Sequence, residues 1–316
     1  MKKQLYTAIL FAGLSASFSA FAQQDAHFTQ YMFNQMYFNP AATGAEQGFR
    51  GNLLYRNQWT GYQGYNSQGG APRNILLTAG MPIMEANTGV GLVVLNDQIA
   101  EYNITNVNLN AAYQYKLGMG KLCAGVGIGI QSLSSGKDFR VNDQNDQKYK
   151  DLLDAAGSGE LVPDINFGLY YKTDKYFGGI SATHLNEAKF QNFSRQLARH
   201  FYLMGGYNID INPDLLLTPT INVKTDSKQT QVELSALARF NNQFLAGLAY
   251  RQGDAVSALL GLTAMQNKLR ITYSLDLTVP ATEAKKPTSH EIMASYFVPM
   301  VMRGPKPIIR TPRYRK

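Results

Sequence analysis

Apolar and polar residues alternate along many short segments of this sequence. In residues 106–116, Val107, Leu109 and Tyr113 are separated from one another mainly by asparagine and glutamine. Residues 121–131 and 269–278 repeat the alternation with other side chains. Successive side chains of a β-strand point to opposite faces of a sheet. Each segment therefore predicts a strand with one apolar face and one polar face.

About 14 such segments follow one another, and an even number of antiparallel strands is typical of bacterial outer-membrane barrels. The predicted strands span residues 47–57, 73–82, 88–96, 102–116, 121–133, 163–172, 176–185, 199–209, 214–224, 229–239, 243–251, 255–265, 268–278 and 289–299. Barrels of this type have short periplasmic turns and longer external loops. The long connections 134–162 and 186–198 follow odd-numbered predicted strands and therefore lie at one end of the barrel. Short connections such as 117–120 and 173–175 follow even-numbered strands and lie at the other end. The sequence therefore predicts an all-β fold, a transmembrane antiparallel β-barrel of the outer-membrane type, over residues 47–299.

The N-terminus has the features of an export signal, which decides between a soluble and a membrane barrel. Alternation alone does not tell whether the apolar face points inward or outward. Residues 1–22 combine Lys2 and Lys3, an apolar run and the sequence Ala20-Phe21-Ala22, as a cleavable secretory signal does. We therefore expect an exported, outer-membrane protein that contacts the lipid bilayer and whose mature chain begins at Gln23.

Positive charge is concentrated at the two ends of the chain. The formal net charge is +8, of which Lys2 and Lys3 leave with the signal. Six further cations lie in the Pro-rich tail at 300–316, which leaves residues 23–298 neutral by count: Arg303, Lys306, Arg310, Arg313, Arg315 and Lys316. A nucleic-acid-binding domain should carry a basic face on its fold, so nucleic acid is not expected as a partner. The tail is either a solvated extension or a periplasmic docking peptide for an acidic partner.

Candidate chemistry is sparse. His27, His184, His200 and His290 are scattered, without the short spacing of a metal motif. Cys123 lies in a predicted strand and is interpreted as a packing residue. No cofactor is implied.

An enzyme is also not expected. Ser181 and His184 lie three residues apart on one predicted strand and should face opposite sides, so they do not form a nucleophile–base pair by themselves. His200 on the neighbouring strand could reach one of them, which leaves an enzyme as a minor alternative. The G-x-G-x-G run at 125–129 lies within a strand and is no phosphate loop; it leaves room on the inner face for a plug or a passing backbone.

An aromatic-rich segment, residues 23–46, precedes the first predicted strand and contains QYMFNQMYFNPAATG. We expect it to pack into or across the periplasmic mouth of the barrel, where it would plug the lumen or present a binding edge. A second group follows in LYRNQWTG at 54–61. The candidate plug or partner-binding residues are Gln30, Tyr31, Met32, Phe33, Asn34, Asn39, Pro40, Arg56, Gln58 and Trp59.

These two groups resemble the N-terminal signature of the PorP/SprF family of Bacteroidetes outer-membrane proteins, associated with type IX secretion and gliding. Later motifs keep the family order, among them Pro163-Asp164, His184-Leu185, Arg199-His200-Phe201-Tyr202 and Ser289-His290-Glu291-Ile292. The resemblance covers nearly the whole mature chain. It implies a non-enzymatic component of type IX secretion that contacts periplasmic ring lipoproteins, or a partner of one secreted adhesin with a C-terminal sorting domain. The alternative is a passive porin or FadL-like small-molecule channel.

Overall fold

The computed structural model describes residues 25–62, 70–136, 150, 157–279 and 287–300. The predicted signal at 1–22 and the basic tail beyond Met300 lie outside these described residues. Among the helices of the described residues, none has both the length and the apolar character needed to cross a membrane.

The described chain is dominated by antiparallel strands, most of which pair with their sequence neighbours. In chain order they are β1 (Gly48–Asn57), β2 (Arg73–Ile83), β3 (Thr88–Ile99), β4 (Tyr102–Leu117), β5 (Gly120–Ser135), β6 (Gly159–Lys172), β7 (Tyr176–Thr183), β8 (Lys189–Phe190), β9 (Arg195–Gln196), β10 (His200–Tyr207), β11 (Ile209–Asn212), β12 (Leu215–Thr225), β13 (Thr230–Phe240), β14 (Phe244–Arg251), β15 (Ala255–Ala264), β16 (Leu269–Thr278) and β17 (Thr288–Pro299).

The sheet closes into a barrel of 14 strands, which confirms the predicted fold. Closure is made by β1 and β17, which pair from Gly48 opposite Pro299 to Asn57 opposite His290. Strand β11 continues β10, since both pair with β12. Strands β8 and β9 form a separate small hairpin that the sequence analysis does not predict. Two-residue strands are too short to show an alternating pattern.

The apolar faces of the strands point outward. Leu109, Ile128 and Leu248 expose 66%, 64% and 68% of their surface, whereas Asn108 and Asn110 on either side of Leu109 are buried. An outer-membrane barrel has this polarity, because its outside contacts lipid. The structure thus resolves the ambiguity that alternation alone leaves.

The connections differ between the two ends of the barrel. Six tight turns lie at the end where β1 begins, which we call the short-turn end. Positive φ angles at Asn241 and Asn242 allow one of them. The opposite end, which we call the long-loop end, carries the connections 58–72, 136–158, 184–199 and 279–287. The long connections therefore lie together at one end, as the sequence predicts.

Residues 25–46 fill the space inside the strands, and we call them the plug segment. They contain a 3₁₀ turn at Tyr31–Phe33, a single α-helical turn at Gln35–Phe38 and a 3₁₀ turn at Pro40–Ala42. Phe28, Tyr31, Phe38 and Ala41 are buried in one cluster together with wall residues. The main core of the barrel therefore lies between the plug segment and the wall. The wall residues of this cluster include Leu54, Leu76, Cys123, Tyr170, Tyr202 and Met293.

Candidate functional site

The plug segment runs along the barrel from the long-loop end to the short-turn end. At the long-loop end, Lys224 Nζ donates to the main-chain oxygen of Asp25 over 3.0 Å. At the short-turn end, Gln114 Nε2 donates to the main-chain oxygen of Gly44 over 2.7 Å. The segment therefore extends well beyond the mouth into which the sequence analysis places it, because inward polar side chains along the whole lumen offer it partners.

The backbone of the plug segment binds a carboxylate near the long-loop end. The amide nitrogens of Thr29 and Gln30 donate to the two carboxylate oxygens of Glu291, at 2.7 and 3.1 Å. The Thr29 hydroxyl donates to Asp276 Oδ1 over 2.7 Å, and the Thr272 hydroxyl donates to the side-chain oxygen of Gln30. These groups are buried, so each bond replaces one that water would otherwise supply.

Glu291 and Asp276 belong to a buried charge network that joins five strands of the wall. Arg56 on β1 binds both carboxylates through Nη1, with 2.8 Å to Asp276 Oδ2. Arg251 on β14 binds Glu233 on β13 over 3.2 Å. The side chains of Arg56, Arg251, Asp276 and Glu291 are at most 1% exposed. Arg251 also pairs with Asp254 over 3.0 Å. Two guanidinium groups therefore face four carboxylates here, and the amide donors of the plug segment help to stabilise the excess negative charge. We call Arg56, Glu233, Arg251, Asp276 and Glu291 the charge network.

The middle of the plug segment is fixed by hydroxyl and amide groups. The Tyr31 hydroxyl lies 2.7 Å from Thr220 Oγ1 and 3.1 Å from Ser235 Oγ. Asn52 Nδ2 on β1 donates to the main-chain oxygen of Phe33 over 3.1 Å. Asn34 is buried and contacts Met293 on β17.

Asn39 anchors the next turn to β6 and β7. Its Nδ2 donates to the main-chain oxygens of Leu169 and Ile180, and its Oδ1 accepts from the Ala41 amide, capping the turn that begins at Pro40. Asn39 also lies against Gly168 and Gly179, where a methyl group would collide with its side chain. The Ser181 hydroxyl donates to the main-chain oxygen of Phe38 over 2.6 Å.

A cluster of ionisable groups holds the first described residue of the plug segment. Asp25 Oδ1 lies 3.1 Å from His184 Nε2, and Asp25 Oδ2 lies 3.3 Å from His200 Nδ1. The Tyr202 hydroxyl donates to Asp25 Oδ2 over 2.7 Å, and Asp164 Oδ1 lies 2.7 Å from His184 Nδ1. Burial disfavours the charged form of His184, but the negative charge of Asp25 and the hydrogen bonds to Asp164 and Asp25 raise its pKa to about 10.

Both Ser181 and His184 face the interior, which corrects the expectation that they lie on opposite faces. The strand ends at Thr183, and His184 has a φ of +55°, so the chain turns and the two-residue alternation stops there. Ser181 is nevertheless bonded to Phe38 rather than to a histidine.

A cavity of about 240 Å³ opens at the short-turn end beneath the plug segment, and we call it the vestibule. Its cations are Arg50, Lys172, Arg239 and Arg270, and its acid is Glu46. Arg50 pairs with Glu46 over 2.7 Å. The Arg270 guanidinium lies 4.6 Å from the ring centre of Phe33 in the plug segment. The vestibule therefore carries a positive excess.

Most of the candidate residues predicted from the sequence lie together in the structure. Gln30, Tyr31, Asn34, Asn39 and Pro40 are buried against the wall, and Arg56 lies in the charge network. Met32 and Phe33 line the vestibule. The basic residues of the tail, from Arg303 to Lys316, lie outside the described residues.

Gln58 and Trp59 lie apart, at the long-loop end. The Gln58 amide donates to the Pro72 main-chain oxygen, and the Trp59 amide donates to Ser289 Oγ over 3.0 Å. They hold the loop after β1 against its neighbours.

Asp25 and most residues of the charge network are not apparent from the sequence pattern. The network could have been suspected from the sequence. Glu233, Asp276 and Glu291 occupy polar positions in strands of alternating pattern, and a charge buried at such a position needs a partner. Asp25 precedes the strands and carries no such signal.

A family model described as type IX secretion system membrane protein PorP/SprF matches residues 20–296. No individual curated protein matches the sequence significantly. Among solved structures, the fold is similar to the Ralstonia pickettii toluene transporter TbuX, with a TM-score of 0.50, 14% identity and coverage of 82% of this chain and 91% of that one. It is also similar to the Pseudomonas putida toluene transporter TodX, with a TM-score of 0.50, 12% identity and coverage of 86% and 94%. At these identities the likeness concerns the barrel fold alone.

Proposed function

This chain belongs to the family of type IX secretion system membrane proteins PorP/SprF, and from this premise we propose that it is a non-enzymatic outer-membrane component of that secretion system. In this role it supports protein export, or the secretion and surface anchoring of a gliding adhesin. It does so through contacts with periplasmic ring lipoproteins or with the C-terminal sorting domain of its cargo.

The proposal rests on the observation that the plug segment fills the lumen of the barrel. Barrels of about 8 strands are just filled by their own side chains, and those of about 16 to 18 leave an aqueous channel. A barrel of 14 strands lies between these limits and needs an additional element to fill its lumen. A filled lumen favours a protein that binds partners at the two ends of its barrel over one that passes solutes through it.

The passive-channel alternative is opposed by the same feature. In the described residues, the charge network and the hydrogen bonds of Thr29, Gln30 and Asn39 cross the path that a solute would take. A porin-type channel would require these buried contacts to break during transport. Breaking them exposes unpaired charge, which is costly.

We propose the vestibule as the docking face. In the orientation expected for an exported barrel, the short-turn end faces the periplasm. The vestibule combines the cations Lys172, Arg239 and Arg270 with apolar walls such as Leu237 and Leu245. That combination suits an acidic segment with one or two apolar side chains. β17 ends at this same end, and we propose that the basic residues that follow it in the sequence contribute to the docking face.

A pull-down of the tagged barrel from detergent-solubilised outer membrane, followed by mass spectrometry, tests the proposal. Recovery of ring lipoproteins supports a general machine component, and recovery of one large adhesin supports a dedicated partner. A barrel that recovers neither, yet gives steady conductance in a planar bilayer, would return the assignment to a passive channel.

The docking face is tested by charge reversal. Lys172→Glu combined with Arg239→Glu should reduce recovery of the partner about tenfold or more, since like charges placed in an interface disfavour binding strongly. Lys228→Glu, in the turn after β12 at the long-loop end, is the matched control and should leave recovery unchanged. Equal recovery with both variants would place the docking face elsewhere.

A further inference from the structure

Three potential metal ligands meet where the plug segment enters the barrel. Asp25 comes from the plug segment, His184 follows β7 and His200 begins β10. One donor atom from each residue lies within 4.8 Å of the others. Zinc–nitrogen and zinc–oxygen bonds are about 2.0–2.2 Å long, so donor atoms around one ion lie roughly 3–4 Å apart. The distances of 3.1 Å and 3.3 Å from Asp25 to the two histidines fit that spacing.

Asp164 fixes the orientation of the His184 ring. Its Nδ1 lies 2.7 Å from Asp164 Oδ1, which leaves Nε2 directed at Asp25. Metal-ligating histidines almost always have their second ring nitrogen bonded to a carboxylate or a carbonyl in this manner. Asp164 is itself fixed by the amides of Asn106, Asn108 and Asn166.

His200 supplies an independent sign of a missing partner. Its side chain is fully buried, and although Nδ1 lies 3.3 Å from Asp25 Oδ2, neither ring nitrogen makes a hydrogen bond within the part of the chain that the structure describes. Buried polar groups are nearly always satisfied, so each exception requires an explanation. A metal ion bound by the ring nitrogen that faces Asp25 would provide one.

Space and charge allow an ion at this position. A cavity of about 40 Å³ borders Asp25 and His184, which is sufficient for one or two water ligands. Among the described residues, Lys224 is the lysine that contacts Asp25, and it donates to the main-chain oxygen of Asp25 and not to its carboxylate. A bound ion would take the place of the proton that His184 otherwise holds between Asp25 and Asp164, so that both carboxylates would balance the charge of the ion.

We propose that Asp25, His184 and His200 bind one divalent transition-metal ion of the zinc type, with Asp164 orienting His184 and with water completing the coordination shell. Two imidazoles and one carboxylate are ligands that Zn²⁺ prefers. The ion clamps the start of the plug segment to β7 and β10. This site is independent of the secretion role, which would stand if no metal bound.

The test is metal binding by the untagged, full-length barrel purified in detergent. After treatment with EDTA, the protein is titrated with Zn²⁺ by calorimetry and with Co²⁺ by visible absorption. We expect one ion per chain and a Co²⁺ spectrum that reports imidazole coordination. Substoichiometric binding by the folded wild-type protein would overturn the proposal, whatever the variants do.

Variants assign the ligands. His184→Ala and His200→Ala should abolish stoichiometric binding, and Asp164→Asn should weaken it by about 10–100-fold, as expected for a residue that orients a ligand. His290→Ala is the control, because His290 lies outside the cluster and contacts Tyr273. Heat-modifiable migration on gels identifies folded barrels, and His200→Gln replaces His200→Ala if the latter does not fold. Unchanged binding by either folded His200 variant would contradict the proposed site.

Discussion

The backbone of Ala41 lies directly against Gly125 on the inner face of β5. A methyl group built on Gly125 would fall 2.5 Å from both the Cα and the amide nitrogen of Ala41. Real side chains do not approach a backbone so closely, so the plug segment can pack here only because β5 has no side chain at this position.

Gly125→Ala should therefore destabilise the barrel. The added methyl group must displace the turn at Pro40–Ala42 or the wall, and overpacking of this kind costs about 1–3 kcal/mol. Thermal unfolding followed by gel mobility measures the loss. Gly178→Ala is the matched control, because a methyl group there meets its nearest atom at 3.5 Å, an ordinary contact. Equal stability of the two variants would mean that the plug segment does not press on β5.

Removing one member of the charge network should have a larger effect. Arg56→Met keeps much of the side-chain volume but leaves Asp276 and Glu291 without their shared cation. Removing one partner of a buried ion pair costs about 3–5 kcal/mol. Denaturant unfolding of the folded variant measures this loss.

Arg73→Met on the neighbouring strand β2 is the control for that substitution. Arg73 is exposed, so its replacement should change stability by less than about 0.5 kcal/mol. Adding Glu291→Gln to Arg56→Met should recover part of the loss, since the uncompensated charge is then removed. If Arg56→Met behaved like Arg73→Met, the network would not contribute to stability.

The anchor at Asn39 can be tested separately. Asn39→Ala removes two donations to main-chain oxygens of β6 and β7 and the cap on Ala41, so we expect a loss of about 1–3 kcal/mol. Asn103→Ala, which removes an exposed asparagine on β4, should cost far less. Limited proteolysis should also cut the plug segment faster in Asn39→Ala; equal rates in both variants would argue that Asn39 is no anchor.

The strands could be predicted from the sequence because each carries its own signal. Leu109 between Asn108 and Asn110 defines two faces without reference to any other strand, and the structure places these faces as a membrane barrel requires. Positions where alternation stops are predicted poorly. His184 turns inward because of its positive φ, and the β8–β9 hairpin is too short to detect.

The cluster around Asp25 could not be predicted, because it is assembled from distant parts of the chain. Asp25 and His184 are separated by 159 positions, and they meet because the plug segment lies inside the barrel. Short-range spacing, the signal on which metal motifs depend, is absent from such a site. The residues of the plug segment were recognisable as a group, but their individual partners depend on which inward side chains meet in the closed barrel.

Deletion of residues 24–44 should open the lumen. The wall has 14 strands, and without the plug segment its polar inner face would surround water, as in larger barrels. We expect stable conductance steps from the deletion variant in a planar bilayer and rare, brief openings from the wild-type protein.

The combined substitution Thr29→Ala and Gln30→Ala weakens the plug segment without removing it and should give intermediate conductance. This variant also tests the prediction if the deletion variant does not fold. Asn103→Ala, on the outer surface, should remain closed. Wild-type conductance as large and steady as that of the folded deletion variant would show that the plug segment does not close the barrel.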